Sequence, residues 1–563
     1  MPRVRSLDYE GRFCQPLCKP QVEKEPVFFR GSPATVHSPE GTAVEGSCAR
    51  RRASPDLQWS PKPEGNEGDL GGSCNEETSG GGTVIRIRDA PSSGHPLARW
   101  TREWIVATAG KPRPVFRPPL KIGKNLRFME HVQARMEAAN MSPEPYLLRG
   151  EEGGTGRYMK WSERCRTATI SGEEEEALSE YFFQKFVKCG VEMCDRAVTP
   201  DHYPHDTCPG LPYTQYGIKT KGDVAAAYSH PELIKAGMEN ILRKEVPIYE
   251  FAKCEPIKRT KDVRTITCYP MHVHVALISK LLAFSEATKT FKQCKIGWSK
   301  WRLGVQDLCN STSGKTYCFE ADARRFDSTL PTCLIRLVLE TYFCCWPAGT
   351  ITIDEIDALV GAVTEGLVFS SNGEVYWKVG GNASGNPVTT EINTAVHLAL
   401  WALAWYRKFG TLDGFDNEDL LLYGDDVFGA TNGALLPAEL PELLKDMPVE
   451  YPIESIKISN NPSGLTFLGC TFYRKNDFWL WRPAKPQKML ATLVYSEKGD
   501  TTYDLALELS RVRGILLDCA WDQEMWNLLY PYQLALETMG ANEGVVGRHV
   551  DRAFVQWLTL GLN

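Results

Sequence analysis

The sequence predicts an α+β fold, with strands gathered into a sheet and helices packed on it. Three features predict it. Strand-like runs and helical stretches succeed one another from 315 to 475: TYCFEADA, LIRLVLETYFCCW, the helix after SGNPVTT, LLLYGDDVFGA and LTFLGCTFYR. The C-terminal part, with DLALELSRVRGILLDCAW, reads as mainly helical. No internal repeat is present, which sets solenoids and propellers aside.

The chain has 563 residues, enough for three or four lobes at roughly 100–200 residues each. Hydrophobic content of 42% and charged content of 24% are ordinary for a globular protein with a sizeable core. The net charge of −6 announces no nucleic-acid partner, so any phosphate-binding surface has to be local. The 18 cysteines are irregularly spaced and the N-terminus has no apolar signal core, which predicts free thiols in a reducing, intracellular compartment. The apolar run AVHLALWALAWY (395–406) is too short to span a bilayer, so membrane attachment is expected only through partners.

Residues 1–95 are rich in Gly, Pro, Ser, Glu and Arg and show weak periodicity, which predicts disorder. The basic cluster ARRRAS (49–54) reads as a solvated tail, with weak RNA contact or a processing site as alternatives. From 96 the chain reads as folded. WTREWIVATAG and LRFMEHVQARMEAAN carry aromatic and aliphatic anchors, and EEEEALSEYFFQKFVKCG (173–190) is a helix with acids in its first turn and a glycine after its end.

Two acidic elements carry the chemistry. TYCFEA reads as a strand ending in Asp322, with Asp327 five residues on, and LLLYGDDVFGA places Asp425 and Asp426 side by side between apolar runs. If the two strands pair, Asp322 and Asp425 face each other at about 5 Å. Carboxylates at that range repel unless divalent cations lie between them, the arrangement phosphoryl transfer uses. Taken alone, the G-D-D triplet reads equally as a solvated hairpin turn.

GGNASGNPVTTEINTAVH (380–397) lies between the acidic elements. Asn386 and Pro387 read as N-cap and first helical residue, and Ser384–Gly385 as a loop at the helix mouth. Thr389, Asn393 and His397 then share one face. Asn393 with Asp327 forms a candidate reader of a ribose 2′-hydroxyl. The bland reading is a capped helix with a wet polar face, and His397 reads as a satisfied core histidine.

FAKCEPIKRTKDVRTITCYP (251–270) sets Lys253, Lys258, Arg259, Lys261 and Arg264 against Glu255 and Asp262, a local excess of positive charge suited to a triphosphate. CPGLPYTQYGIKTKGD (208–223) adds a Gly-Leu-Pro-Tyr turn with Lys219 and Lys221, which can steer a template strand. In isolation these are a charged hairpin and a loop. Cys189, Cys194, His202, His205 and Cys208 lie close in sequence; a structural Zn²⁺ is one reading, but the spacing fits no standard finger and buried thiols are the alternative.

Taken in order, these segments resemble the RNA-dependent RNA polymerases of positive-strand RNA viruses. DARRFD (322–327) is similar to their motif A, SGNPVTTEIN (384–393) to motif B and YGDD (423–426) to motif C. SIKIS (455–459) fits motif D, TFLGCTF (466–472) motif E, KCEPIKRTKDVRTI (253–266) motif F and GLPYTQYGIKTKGD (210–223) motif G. KIGWSKWRLGVQDL (295–308) resembles the picornavirus-like supergroup, astrovirus-like or potyvirus-like.

The resemblance implies a right-hand polymerase with fingers, an antiparallel palm sheet with flanking helices, and a thumb. It divides the chain into fingers with an N-terminal extension (96–314), palm (315–345), a fingers insertion (346–382), palm (383–475) and a helical thumb (476–563). It implies that Asp322, Asp425 and Asp426 hold two Mg²⁺ ions, with Mn²⁺ a substitute. Lys253, Lys258 and Arg264 would hold the triphosphate, and Asp327, Ser384, Thr389 and Asn393 the ribose. Gly210, Pro212, Tyr213 and Lys219 would guide the template, and Lys457 would protonate pyrophosphate. Template and product RNA, NTPs and other viral replication proteins are the expected partners, at membrane-associated complexes in the host cytoplasm. A reverse transcriptase and a catalytically idle RNA-binding scaffold are the competing readings.

Overall fold

The computed structural model describes residues 94–109, 123–143, 146–149, 163–258, 260–261, 263–371, 373–496, 504–543 and 549–560. The expected disorder of 1–95, apart from Gly94 and His95, and the basic residue Arg259 lie outside the described residues, as does Asp262.

A four-stranded antiparallel sheet lies at the centre, in the spatial order Lys457–Ser459, Tyr317–Asp322, Asp426–Thr431, Asp419–Tyr423. Three of its strands are buried on both faces: Phe319, Leu422 and Val427 join the core with the helices, whereas Cys318, Leu421 and Phe428 join a second one with Phe467 and Phe472. Helix Thr389–Phe409 underlies it and is buried along nearly its whole length, with Phe319 of the sheet stacked on Trp401 at 5.4 Å. Gly429 leaves the space that Phe319 fills: a Cβ there would lie 2.5 Å from the Phe319 ring. Helices Gly172–Lys188, Met271–Thr290 and Thr332–Cys344 complete this core, so the run LIRLVLETYFCCW is helical.

Local chemistry sets the helix ends. Ser171 accepts from the Glu174 N–H while the Glu174 carboxylate accepts from the Ser171 N–H, a capping box that starts helix Gly172–Lys188. Gly190, at φ +72°, follows its end in the left-handed conformation that terminates helices.

A second four-stranded sheet runs Thr265–Cys268, Pro247–Ala252, Glu365–Ser370, Val375–Val379, with one parallel pair, Pro247–Ala252 beside Glu365–Ser370. The 346–382 segment therefore shares a sheet with the basic stretch. Strand Glu255–Lys258 pairs with Tyr146–Arg149. Helix Leu126–Ala138 joins a separate core with helices Pro486–Val494, Leu505–Asp518 and Gln523–Glu543. The buried Glu508 carboxylate fastens it there, accepting from Asn125, Arg127 and the Tyr532 hydroxyl.

Two expected boundaries move. Helix Thr389–Phe409 starts two residues after Pro387, because Asn386 turns the chain first: its Oδ1 accepts from the Val388 N–H at 3.1 Å and its carbonyl from the Thr389 N–H at 3.1 Å. The division at 475 cuts a hairpin: Cys470–Lys475 pairs with Phe478–Pro483 across an Asn476–Asp477 turn, with Asn476 at φ +55°. No helix among the described residues is long and apolar enough to cross a membrane.

Candidate active site

The acid pair sits where the hairpin chemistry puts it. Tyr423 and Asp426 close the ladder, so Gly424 and Asp425 occupy the two corners of the turn. Gly424 has φ +60°, a conformation glycine adopts without strain. The neighbouring strand then aligns Asp426, and not Asp425, directly opposite Asp322. Asp425 stands at the tip, close enough to raise the proton affinity of both. Burial, then Asp425 and then Asp322 push the Asp426 carboxyl up to about 7. Burial and then Asp425 also raise Asp322.

Cations converge on these acids. Lys485, Lys261 and Arg264 oppose the rise at Asp322, and Lys485 does so at Asp426. No group of three or more His, Cys, Asp or Glu donors forms a protein-only metal cage among the described residues. The hard carboxylate oxygens of Asp322 and Asp426, both raised in proton affinity, are the donor type that a hard divalent cation takes together with substrate phosphates.

Behind the acids lies a polar network. The Asn393 amide donates to Asp327 Oδ1 at 2.6 Å, and Asn393 Oδ1 accepts from Asn382 at 2.9 Å. Asn382 also donates from its backbone to the Asp327 carbonyl at 2.8 Å and accepts from Asn386 at 3.2 Å. The Thr389 hydroxyl contacts the Ala383 and Asn386 carbonyls rather than the face of Asn393. Ser384 is docked on Thr267: the Thr267 N–H donates to its Oγ at 3.1 Å, and the Gly385 N–H donates to Thr267 Oγ1 at 3.0 Å. Gly385 is obligatory, because a Cβ would meet the Thr267 carbonyl oxygen at 2.0 Å.

The basic stretch gathers on Glu255. Arg264 reaches it at 3.7 Å, Lys253 at 3.8 Å and Lys488 at 3.3 Å. Lys258 ends the strand that Glu255 begins, its ammonium 6.0 Å from the ring centre of Tyr146 on the paired strand. Lys457 pairs across the ladder with Glu320, which holds its ammonium in an ion pair and also accepts the Thr466 N–H.

Of the template candidates only Lys219 is exposed; Gly210 and Pro212 are buried. Tyr213 is 1% exposed and so reaches no strand in a cleft; its hydroxyl hydrogen-bonds His272 Nδ1 at 2.8 Å and anchors the loop. Among the candidate zinc residues, His202 Nδ1 accepts the Thr199 N–H, His205 Nε2 contacts the Pro200 carbonyl, and the Cys189 thiol donates to the Phe186 carbonyl. Every cysteine among the described residues is a free thiol.

Sequence reasoning passed over Glu320, Asn382, Thr267 and Lys485. None carries a local signal: each is tied to the candidate residues by a contact that the fold makes, Glu320 to Lys457, Asn382 to Asn393, Thr267 to Ser384 and Lys485 to Asp322.

A hairpin bearing two acids thus lies beside an acid-ended strand, with Lys485, Lys261 and Arg264 close enough to act on Asp322. The profile of the viral RNA-dependent RNA polymerase family matches residues 180–536, and the chain belongs to that family. It is 26% identical to non-structural polyprotein 1AB of ovine astrovirus 1 over 321 residues, 52% of this chain and 23% of that polyprotein. It is 24% identical to the genome polyprotein of Theiler's murine encephalomyelitis virus (strain BeAn 8386) over 332 residues, 53% of this chain and 13% of the polyprotein. Encephalomyocarditis virus genome polyprotein matches at 26% identity over 255 residues, 41% of this chain and 10% of the polyprotein. The chain thus spans less than a quarter of each of these relatives.

Proposed function

We propose that this chain copies an RNA template into RNA from ribonucleoside triphosphates, replicating a positive-strand viral genome. The central antiparallel sheet with its helices is the palm, the mixed sheet around the basic stretch belongs to the fingers, and the C-terminal helices are the thumb. The observation that carries the reading is the pairing of Asp322 with Asp426 beside Asp425 at the turn.

Asp322, Asp425 and Asp426 would hold two Mg²⁺ ions, or Mn²⁺ in their place. When bound, the ions supply charge neutralisation at the attacking and leaving oxygens. The 3′-hydroxyl of the growing strand displaces pyrophosphate from the α-phosphate. The protein contributes position and charge. Lys253, Lys258 and Arg264 bind the triphosphate, the Arg264 guanidinium being exposed and beside the acids. Asp327 and Asn393, held by Asn382, meet the ribose 2′-hydroxyl. Ser384 and Thr389 shape the loop beneath the sugar. Lys457 offers a proton at Nζ to departing pyrophosphate after exchanging Glu320 for phosphate oxygens. Lys219 contacts template phosphates, with Gly210 and Pro212 shaping its loop. Because the relatives are polyproteins, other viral replication proteins are the proposed partners.

The test is template-dependent incorporation of labelled NTPs or dNTPs, with Mg²⁺ or Mn²⁺, by wild type and Asp425→Ala. NTP incorporation by wild type alone, with RNA binding retained in the variant, is the expected result. Activity surviving in Asp425→Ala sinks the mechanism, and preference for dNTPs replaces it with reverse transcription.

A further inference from the structure

We propose that Thr394 and His397, on helix Thr389–Phe409, are positioning residues for the acid turn: they grip both peptide groups of Gly424 and so fix where Asp425 and Asp426 point. The inference rests on the metal-site reading above.

A two-residue turn leaves the peptide groups at its first corner outside the ladder. Here both are satisfied from beneath the sheet. The Gly424 N–H donates to Thr394 Oγ1 at 2.8 Å, and the Gly424 carbonyl accepts from His397 Nδ1 at 2.9 Å. Thr394 is 2% exposed and His397 fully buried. The two side chains are one helical turn apart on one face, so a single rigid element supplies both contacts.

The roles are fixed by chemistry. The Thr394 hydroxyl spends its proton on the Thr390 carbonyl at 2.7 Å, which leaves only a lone pair for Gly424. The Gly424 carbonyl can only accept, so Nδ1 of His397 must carry hydrogen. Burial keeps this imidazole neutral, with its pKa pushed down to about 4. His397 Nε2 then has no hydrogen-bond partner among the described residues. A buried polar atom left unpaired is unfavourable, and an apolar side chain would avoid it. The donor to Gly424 is what a leucine cannot supply.

The same ring reaches a second part of the site. Phe326, between Asp322 and Asp327, packs on it at 4.7 Å, and the Tyr451 ring lies 6.1 Å away. A glycine corner with open space around it resists displacement only through such contacts; nothing lies within 4 Å of an added Cβ at Gly424. Without the grip, the turn is free to pivot and carry both carboxylates with it.

The test uses the full chain with four substitutions. His397→Asn keeps a donor near the Nδ1 position and His397→Leu removes it. Thr394→Ser keeps the acceptor and Thr394→Val, of equal size, removes it. Mn²⁺ binding without substrate is read by electron paramagnetic resonance, single-nucleotide incorporation by rapid quench, and folding by thermal melting. His397→Leu and Thr394→Val should weaken Mn²⁺ binding and lower kcat by about 10–100-fold, the usual cost of losing an outer-shell partner, while KM for NTP stays near its wild-type value. The Asn and Ser variants should stay close to wild type.

Wild-type Mn²⁺ affinity and kcat in both Leu and Val variants would overturn the inference. So would loss in all four that tracks only the melting temperature. If His397→Leu does not fold, Thr394→Val decides. Asp425→Asn separates the two levels: an active Asp425→Asn removes the metal-site reading itself, whereas an inactive one beside normal Leu and Val variants removes only the grip.

Discussion

Asp426 faces Asp322 across the antiparallel ladder, and Asp425 stands beside both at the tip of the turn. Side chains so opposed approach to about 5 Å, and the repulsion between them makes the metal-free centre a source of instability that cations relieve.

Replacing Asp426 by Asn should therefore stabilise the chelator-treated protein while abolishing incorporation. The Asp426 carboxyl is raised to about 7 in the folded state, against about 3.9 unfolded. Between those values the folded state keeps a proton that the unfolded state has released, so its contribution is fully present below about pH 4 and lost as pH rises towards 7. The stability gap between Asp426→Asn and wild type should open over that window in urea unfolding. Divalent cations should close it. A gap independent of pH would count against the pairing.

The Asn393–Asp327 hydrogen bond, 2.6 Å long, predicts sugar selectivity. Asn393→Ala frees Asp327 and removes the amide that orients it. The ratio of NTP to dNTP incorporation efficiency should fall by about tenfold or more, the scale of one hydrogen bond to a charged group. An unchanged ratio assigns sugar discrimination elsewhere.

Gly385→Ala places a methyl 2.0 Å from the Thr267 carbonyl oxygen, and backbone cannot yield as a flexible side chain can. Destabilisation of about 1–3 kcal/mol is expected, together with reduced incorporation as the Ser384 loop leaves strand Thr265–Cys268. Gly361, inside helix Ile353–Thr364 with nothing within 4 Å of its added Cβ, is the control. Alanine there should stabilise by about 0.5–1 kcal/mol. Urea unfolding reads both.

Arg407 holds three elements together. It donates to Glu174 at 2.6 Å, to Asp446 at 2.5 Å and to the Leu443 carbonyl at 2.8 Å. Burial opposes ionisation of Glu174, but Arg407 and the Ser171 N–H outweigh it and lower its pKa; Arg407 likewise lowers Asp446. Acids lowered in the folded state stabilise it above their unfolded pKa of about 4, and that contribution is lost as pH falls through the folded values. Arg407→Leu should cost about 1–3 kcal/mol near neutrality, and the difference from wild type should shrink below pH 4. A difference that persists in acid would mean packing, not charge, is what Arg407 supplies.

Much of the site was legible because its signals are local. The strand TYCFEAD and the glycine before two aspartates depend on residues within a few positions of one another. The Asn476–Asp477 turn between Cys470–Lys475 and Phe478–Pro483 is local in the same sense, since Asn and Asp are both turn residues. Tyr213 was not legible: a tyrosine in a Pro-rich loop looks like a contact residue until helix Met271–Thr290 supplies His272 as its buried partner.

By itself the sequence carried the order of the motifs and, through them, the resemblance to viral RNA-dependent RNA polymerases, and it singled out Asp322, Asp425 and Asp426, because each motif is a short stretch of contiguous residues. The tertiary structure decided which acid meets which. Two residues were needed to turn the hairpin, so the ladder could not resume before Asp426, and Asp322 found its partner there. It also decided that Glu320 captures Lys457 and that helix Leu126–Ala138 joins the C-terminal core. Those contacts join residues more than a hundred positions apart, and only the folded chain's packing, not any local pattern, brings such residues together.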